Sequence, residues 1–256
     1  MKILITAGGT SEKIDEVRKI TNTASGRLGT LIAEEFLKQT EAEITYLCST
    51  DALKPKDAEI NIHKISSVRE LKAALTKLMT QNNYNAVIHT MAVSDYSVQK
   101  VISANDLVSS ITNTILNEPL INYDSLSKAI NTALLHPGKN VNSLKKISSD
   151  IENLIIFMDK TQKVIHLIKQ IQPQTILVGF KLLVDAGNRD LLQKGYDLLL
   201  KNNCDFVLAN DLKNINKDNH EGILIKPDRS YLLLFSKQEI AEAIVNNVLS
   251  KIRGVF

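Results

Sequence analysis

The stretch "KILITAGGTSEKIDEVRKITNTASGRLGTLIAEEF", residues 2–36, decides the fold class. It opens with "KILIT", an apolar run of the length of a buried strand, and it closes with a segment whose apolar residues recur on one helical face. Between the two, the segment from Gly9 to Ser25 has neither strand nor helix periodicity, and the helix cannot begin before about Gly26. A nucleotide-binding βα unit normally turns straight from its strand into its helix. The long connection therefore needs an explanation.

The rest of the chain alternates strand-like and helix-like segments, which is typical of a parallel sheet wrapped by helices. Ser67 with Glu70, and Ser236 with Glu239, have the spacing of capping boxes and predict two helix starts. Near the end, "GILIKPDRSYLLLF" predicts a β-hairpin. We therefore predict an α/β, Rossmann-like, mostly parallel sheet flanked by helices, with a C-terminal β-hairpin.

One segment, at about 97–144, breaks this alternation. It contains weak β segments, one predicted helix around "SLSKAINTALL" and the punctuating "HPGKN". Its charges balance, which favours a folded element over a disordered tail. We predict a single domain over residues 1–256 with an inserted segment, or flap, at about 97–144.

Bulk properties exclude several classes of protein. The 256 residues carry a formal net charge of +3, no long Lys/Arg run and few aromatic residues, so nucleic-acid binding is not expected. No apolar run is long enough for a membrane span, and no signal-peptide pattern precedes the first strand. Cys48 and Cys204 are isolated and predict two buried thiols. These features predict a cytoplasmic protein.

Glycines concentrate in the opening unit. Only 10 occur in the chain, yet four of them lie within the first 29 residues: Gly8, Gly9, Gly26 and Gly29. Such positions suit a backbone that approaches a ligand closely or adopts positive φ. The free N–H groups of a helix opening at "SGRLG" could hold a phosphate. The alternative is a plain βα connection with Ser25 as the N-cap and Gly29 serving only helix–strand packing.

Polar and aromatic residues at other strand ends are further candidates, because ligands bind at the carboxyl edge of open α/β sheets. Asp95 follows "NAVIHTMAV", and it either contacts a ligand or caps the next segment. Asn210 ends "DFVLAN", and Phe180 lies where it either stacks on a base or packs in the core. Lys145 and Lys146 either serve a site or are solvated surface. His89 is expected to be a hydrogen-bonded core histidine.

Five motifs, in order, resemble phosphopantothenate–cysteine ligase, also called phosphopantothenoylcysteine synthetase: "ITAGGTSEKIDEVRKITNTASGRLG", "MAVSDY", "KISS", "GFKLLVD" and "AND". The resemblance covers most of the chain except 97–144. "GFKLLVD" resembles the stand-alone bacterial form, so no flavin-dependent decarboxylase half, and no flavin, is expected. The resemblance implies joining of 4′-phosphopantothenate to L-cysteine through an acyl-nucleotidylate, with CTP (ATP being possible), Mg²⁺ and a homodimer.

The resemblance also implies a role for each matching residue. Asn22 would hold the acyl intermediate, Arg18 would reach the neighbouring subunit's substrate, and Lys146 would stabilise charge on the nucleotide phosphates. Phosphopantothenate would be contacted by Met91, Ala92 and Asp95. Nucleotide contacts fall on Gly8, Ala24, Gly26, Gly29, Phe180 and Asn210. The catalytic set is then Asn22, Lys146 and Asp95, and the excursion after Gly9 carries Arg18 and Asn22 to the substrate.

Two residues depart from the family pattern. Ala24 stands where a Ser is usual, and Met91 stands where a small Ala is usual. These departures leave open a catalytically inactive nucleotide-binding protein on the same fold. An NAD(P)-dependent oxidoreductase is the other alternative, but the G-x-G-x-x-G turn that it requires is absent.

Overall fold

The computed structural model describes residues 1–57, 59–117, 122–137, 140–141, 146–215 and 220–254. The secondary structure elements in chain order are β1 (Lys2–Ala7), β2 (Ser11–Lys13), β3 (Lys19–Thr21), α1 (Arg27–Gln39), β4 (Glu43–Ser49), β5 (Asn61–Ile65), α2 (Val68–Gln81), β6 (Ala86–His89), β7 (Tyr96–Ser103), α3 (Ala104–Leu116), α4 (Tyr123–Leu135), β8 (Leu154–Lys160), α5 (Ile165–Ile171), β9 (Ile176–Leu183), α6 (Asn188–Asn202), β10 (Phe206–Asp211), a 3-10 helix (Leu212–Asn214), β11 (Gly222–Ile225), β12 (Tyr231–Leu234) and α7 (Lys237–Ile252). Within these ranges, no helix is both long enough and apolar enough to cross a membrane.

The chain forms two compact units. The first consists of 1–10, 22–94 and 163–256, and the second consists of 11–21 and 95–162. The predicted insertion at about 97–144 therefore lies in the second unit. That the whole chain acts as a single domain stays a prediction.

The first unit is built on one eight-stranded sheet of order β12-β11-β10-β9-β6-β1-β4-β5. Six neighbouring strands of this sheet pair in parallel: β10, β9, β6, β1, β4 and β5. The remaining pairs are antiparallel, since β11 pairs in that direction with both β10 and β12. The predicted Rossmann-like sheet and its C-terminal hairpin are therefore confirmed. Because β4 and β6 lie on opposite sides of β1, the strand order reverses at β1 and β6.

Each face of this sheet is covered by helices. One core cluster joins Ile3, Ile5 and Tyr46 of the strands to residues of α1 and α7, such as Phe36 and Ile244. A second cluster joins the opposite faces of the same strands to α2, α5 and α6. Alternate side chains of a strand point to opposite faces, so strands that are apolar throughout, such as "KILIT", are buried on both sides. Cys48 and Cys204 are buried free thiols, as expected.

The second unit contains two antiparallel strand pairs, β2–β3 and β7–β8, and the helices α3 and α4. Val101, Val141 and Ile147 form its small core, against which Ile14 and Ile156 pack. The helix predicted around "SLSKAINTALL" is α4, whereas α3 was not predicted. The expectation that the segment after Gly9 has no regular structure is wrong, because β2 and β3 form a short antiparallel pair.

Candidate functional site

The reversal of strand order at β1 and β6 creates the crevice in which open α/β sheets bind ligands. The segments that follow these two strands are hydrogen-bonded to each other. The Ala92 N–H donates to the Gly8 carbonyl at 2.9 Å, and the Thr10 N–H donates to the Ala92 carbonyl at 3.0 Å. The Thr10 hydroxyl accepts from the Ser94 N–H at 2.9 Å. Gly8 and Ala92, predicted to contact nucleotide and substrate respectively, therefore lie side by side.

Asn22 returns to the same place after the excursion of the chain. Its N–H donates to the Thr10 carbonyl at 3.0 Å. A Cβ atom added to Gly9 would lie only 1.9 Å from the Asn22 carbonyl oxygen. The Gly9 backbone and the Asn22 backbone are thus in direct contact, and only glycine at position 9 allows this approach. We call Gly8, Gly9, Thr10, Asn22 and Ala92 the switch-point cluster.

Gly26 places the first turn of α1 next to the switch-point cluster. Gly8 and Gly26 both have positive φ, at 86° and 76°, and a Cβ on Gly26 would lie 3.3 Å from the Gly8 nitrogen. Gly26 is the N-cap of α1, no side chain caps the helix, and its first turn carries no carboxylate. The alternative with Ser25 as N-cap is therefore wrong, although the Ser25 hydroxyl does accept from the Arg27 N–H at 3.3 Å. Uncapped N–H groups of a first turn are suited to anions.

Gly29 and Tyr46 explain how α1 is held. A Cβ on Gly29 would lie 2.7 Å from the Ala7 Cβ, so glycine at this position allows α1 to pack closely on β1. The Tyr46 hydroxyl lies 3.4 Å from the Gly26 carbonyl and 3.2 Å from the Leu53 carbonyl. Burial raises the pKa of Tyr46. Its phenol therefore stays protonated and keeps donating to the turn that contains Gly26.

A buried polar pair lies beneath the cluster. The Thr6 hydroxyl and His89 Nδ1 are 2.8 Å apart, and the Met91 N–H donates to the same hydroxyl at 3.4 Å. Burial lowers the pKa of His89 to about 4, so the ring is neutral near pH 7. His89 is thus a hydrogen-bonded core histidine, as expected. Met91 is buried in the second core cluster.

Phe180 and Asn210 lie on the adjacent strands β9 and β10. Phe180 pairs with Leu208, and Asn210 pairs with Leu182 two residues further along. By alternation both side chains face the sheet side that α1 and α7 cover. Phe180 is partly buried against that core. The Asn210 side chain is hydrogen-bonded to His220, its Nδ2 lying 2.9 Å from His220 Nε2.

Asp211, the residue after Asn210, fixes the connection that follows β9. Its carboxylate accepts from the Lys213 N–H at 3.0 Å, from the Ala186 N–H at 2.6 Å and from the Asp185 N–H at 3.0 Å. These hydrogen bonds, that from Lys213 foremost, lower the pKa of Asp211. Asp211 therefore remains an acceptor at any physiological pH.

In the second unit, the structure brings Arg18 to the segment that contains Lys146. The Arg18 guanidinium donates to the Ile147 carbonyl at 3.2 Å. Asp15 binds both segments: it accepts from the Arg18 N–H at 2.6 Å and from the Ile147 N–H at 3.1 Å. Burial alone would raise the pKa of Asp15, but these hydrogen bonds lower it. Asp15 is thus an ionised anchor for the turn that presents Arg18.

The other predicted residues of the second unit lie on its surface. Lys146 is exposed, and Lys145 lies outside the described residues. Asp95 is exposed and immediately precedes β7, and its carbonyl accepts from the Thr161 N–H at 2.8 Å. The strand before it was predicted to extend to Val93, but β6 ends at His89. Asp95 therefore lies several residues beyond that strand end. Ala24, in the first unit, is also exposed.

Sequence reasoning missed five residues that support these sites: Thr10, Asp15, Tyr46, Ser49 and His220. The Ser49 hydroxyl accepts from the Gly9 N–H at 3.3 Å. Thr10 and Asp15 stand within the quoted opening motif, which was a usable signal. Tyr46, Ser49 and His220 contact residues of other secondary structure elements, and no local pattern marks such contacts.

The model of the DNA/pantothenate metabolism flavoprotein C-terminal domain family matches residues 1–109 and 136–252. It leaves 110–135 unmatched, a narrower insertion than the predicted 97–144. A curated relative, the Coenzyme A biosynthesis bifunctional protein CoaBC of Thermococcus kodakarensis, is 27% identical over 96% of this chain and 50% of its own length. The chain thus spans about half the length of the curated relatives that it matches first.

Solved structures are similar over nearly the whole chain. The DNA/pantothenate metabolism flavoprotein of Streptococcus pneumoniae has a TM-score of 0.80 and 32% identity, covering 98% of this chain and 99% of that chain. A Cab2 mutant in complex with phosphopantothenate-cysteine has a TM-score of 0.67 at 18% identity, covering 99% and 87%, which supports the fold alone. The resemblance to the phosphopantothenate–cysteine ligase family is therefore confirmed. The chain belongs to the family of the DNA/pantothenate metabolism flavoprotein C-terminal domain.

Proposed function

We propose that this chain joins 4′-phosphopantothenate and L-cysteine into 4′-phosphopantothenoylcysteine, a step of coenzyme A biosynthesis, with CTP as the co-substrate. ATP is the alternative nucleotide. The proposed enzyme is a cytoplasmic homodimer that uses no flavin. Family membership and the motifs that carry it support this reaction.

The observation that carries the proposal is the contact between Gly9 and Asn22. A substrate site at this position needs the polar side chain of Asn22 to be held at the carboxyl edge of the sheet, near the first turn of α1. The close approach of the two backbones, and the hydrogen bond from the Asn22 N–H to the Thr10 carbonyl, fix the Asn22 backbone there, and the side chain projects from this fixed point. This contact explains the long connection between β1 and α1, because the connection returns at Asn22 to the place where a ligand is expected to bind.

The first proposed step activates the carboxylate. A carboxylate oxygen of 4′-phosphopantothenate attacks the α-phosphorus of the nucleotide, the bond from that phosphorus to the β-phosphate oxygen breaks, and pyrophosphate leaves. The Arg27 N–H donates to the Ser25 hydroxyl, and the next N–H groups of the first turn of α1, which have no side-chain cap, are suited to the phosphate charge. Arg27, exposed at the same helix start, adds a positive charge.

The second proposed step forms the amide. The amine nitrogen of cysteine attacks the acyl carbon, the bond from that carbon to the phosphate-linked oxygen breaks, and the nucleoside monophosphate leaves while the amine loses a proton. Asn22 would hold the acyl intermediate for this attack by hydrogen bonding. Its backbone is fixed by two neighbours, Gly9 and Thr10, so only the side-chain torsions of Asn22 remain to be ordered when it binds the intermediate.

The remaining roles are proposals that rest on the family motifs. Met91, Ala92 and Asp95 would contact phosphopantothenate, and Lys146 would stabilise charge on the nucleotide phosphates. Arg18 would contribute to the neighbouring subunit's site, which makes the homodimer part of the mechanism. Its anchoring by Asp15 supports a fixed rather than a freely moving arginine.

Mg²⁺ is proposed to arrive with the nucleotide. Among the residues that the structure describes, no group of three or more His, Cys, Asp and Glu side chains could hold a metal ion. Mg²⁺ usually keeps several waters and binds through substrate phosphates with one or two carboxylates. The described residues therefore do not form a cage for the ion, and neither step above depends on a protein ligand to it.

The first test measures pyrophosphate release by the purified protein with Mg²⁺ and cysteine, with and without 4′-phosphopantothenate, comparing CTP with ATP. We expect release that requires 4′-phosphopantothenate and is faster with CTP. Absence of release with either nucleotide would favour an inactive nucleotide-binding protein on this fold. Tight binding of a nicotinamide cofactor instead would favour the oxidoreductase alternative.

The second test separates the two steps with Asn22→Asp. A carboxylate at this position accepts but no longer donates, so amide formation should slow and the acyl-nucleotidylate should accumulate. Asn83→Asp is the matched control, because Asn83 is exposed in the turn before β6, at the amino ends of the strands. Equal rates in the two variants, with no accumulation, would remove Asn22 from the proposed role.

A further inference from the structure

The hydrogen bond between Asn210 and His220 lies at the carboxyl edge of the sheet and is almost fully buried. Asn210 is 8% exposed and His220 is 6% exposed. The Asn210 Nδ2 and the His220 Nε2 are 2.9 Å apart. The His220 N–H donates to the Phe235 carbonyl at 3.3 Å, and His220 forms a bridge with Ile215. The backbone of His220 is therefore held by two contacts, one with Phe235 and one with Ile215.

The chemistry of this pair determines where the protons lie. In the amide orientation of the structure, Asn210 Nδ2 faces His220 Nε2 and can only donate, so this orientation pairs with the tautomer whose Nε2 presents its lone pair. The ring proton is then on Nδ1, which is buried and has no partner among the described residues. Burial, and then the charge of Lys237, lower the pKa of His220 to about 4. The ring is neutral near pH 7 and remains an acceptor.

Among the described residues, the other end of the Asn210 amide has no hydrogen-bond partner. The hydrogen bonds described for Asn210 use Nδ2 and none uses Oδ1. Unlike His220 Nδ1, the Oδ1 atom is not among the buried atoms without a partner. The carboxamide therefore presents a hydrogen-bond acceptor at the carboxyl edge of β10, two strands along from β6.

A hydrogen-bond acceptor can distinguish nucleobases by whether one position of the ring carries an amino group or a carbonyl oxygen. Cytosine and adenine carry an exocyclic amino group that donates, whereas uracil and guanine carry a carbonyl oxygen at the corresponding position. A site built to bond a donor rejects the analogue that lacks it, because two acceptors then face each other. Phe180 on the adjacent strand β9 offers an aromatic ring on the same side of the sheet.

We propose that His220 is a positioning residue that fixes the Asn210 carboxamide, so that its Oδ1 selects nucleotides whose base carries an amino group at C4 of a pyrimidine or C6 of a purine, as cytosine and adenine do. This inference rests on the proposed function, in which Asn210 contacts the nucleotide. It is consistent with the proposed use of CTP, with ATP as the alternative, and it predicts rejection of UTP. The opposite amide orientation, with His220 Nε2–H donating to Oδ1, would present an amino group and would favour UTP.

The test measures equilibrium binding of CTP and UTP by calorimetry to the wild-type protein and to three variants. We expect the wild type to bind CTP at least about tenfold more tightly than UTP. In His220→Phe the carboxamide can rotate, so this ratio should fall to near one, and the KM for CTP should rise by a larger factor than kcat falls. His220→Gln offers an acceptor oxygen in place of Nε2 and should restore most of the ratio.

His63→Phe is the matched control. His63 also has a buried ring nitrogen without a partner among the described residues, but it lies on β5, at the other end of the sheet order. If His220→Phe and His63→Phe have the same ratio of CTP to UTP affinity at similar melting temperatures, the inference is overturned. A wild-type protein that prefers UTP, or that binds neither nucleotide, also overturns it. A wild type that binds CTP selectively but releases no pyrophosphate contradicts only the ligase proposal.

Discussion

Replacing Gly9 with alanine tests the contact on which the proposed site depends. The φ angle of Gly9 is not in the left-handed region, so alanine meets no backbone strain there. Its Cβ would, however, lie 1.9 Å from the Asn22 carbonyl oxygen, whereas real Cβ contacts essentially never fall below 3.0 Å. The two backbones must therefore separate by about 1.1 Å, the difference between these distances.

The expected effect follows from this displacement. A misplacement of about 1 Å can lower a rate roughly 100-fold, which corresponds to about 2.7 kcal/mol. We therefore expect amide formation to slow by roughly this factor in Gly9→Ala. The stability cost of overpacking should be about 1–3 kcal/mol. Because α1 is not displaced directly, the affinity for nucleotide should change much less.

The assay follows pyrophosphate release and product amide separately in rapid-quench experiments, together with hydrogen exchange of the Asn22 N–H. This N–H donates to the Thr10 carbonyl, so its exchange should accelerate when the backbones separate. Gly187→Ala is the control, since an added Cβ there meets no heavy atom within 4 Å. Amide formation at the Gly187→Ala rate in the Gly9→Ala protein would refute the reasoning.

Three further predictions concern stability and the second unit. Partial burial of Asp205 raises its pKa, but hydrogen bonds from Lys169, Lys251 and the Leu177 N–H outweigh this effect and lower the pKa below its ordinary value. The ionised carboxylate should stabilise the folded state fully above about pH 4, and this stabilisation should be lost as the pH falls further. Urea unfolding of Asp205→Asn should show a free energy of unfolding roughly 2–3 kcal/mol lower at pH 7, and this free energy should fall less steeply below pH 4 than in the wild type. Phe36→Ala, at a fully buried position, should cost about 3–5 kcal/mol, against less than about 0.5 kcal/mol for the exposed Leu116→Ala, both measured by chemical denaturation. Asp15→Ala removes both accepting oxygens and should accelerate exchange of the Ile147 N–H, and unchanged exchange would contradict the anchoring role.

The parts of the fold that could be predicted are those with enough residues to repeat a pattern. β1 is a continuous apolar run and α1 is long and periodic. Ser67 and Ser236 accept from the N–H groups of Glu70 and Glu239, as their spacing predicts. β2 and β3 have three residues each, which is too short for a period to be recognised. α3 was missed because it is rich in Ser, Thr, Asn and β-branched residues of weak helix propensity and has no buried residue.

The candidate site was predictable where the chain itself carries a motif. The glycine positions and Asn22 lie in one continuous stretch, so the resemblance could assign them together. The partners that fix the site are distant in sequence: Asp15 reaches Ile147 across 132 positions, and Ser49 reaches Gly9 across 40. Such pairs depend on the tertiary fold. Even the short separation of Asn210 from His220 was uninformative, because antiparallel pairing of β10 with β11 brings them together.

The position of β9 beside β6 has a consequence for synthesis on the ribosome. β6 ends at His89, and the strand that covers its free edge, β9, is complete only at Leu183. At typical elongation rates this interval lasts roughly 5–20 s. During that time the emerging chain exposes the backbone of an apolar strand, "AVIH", with no partner on one side. Nascent chains of this length should therefore depend on chaperones more strongly than the finished protein does.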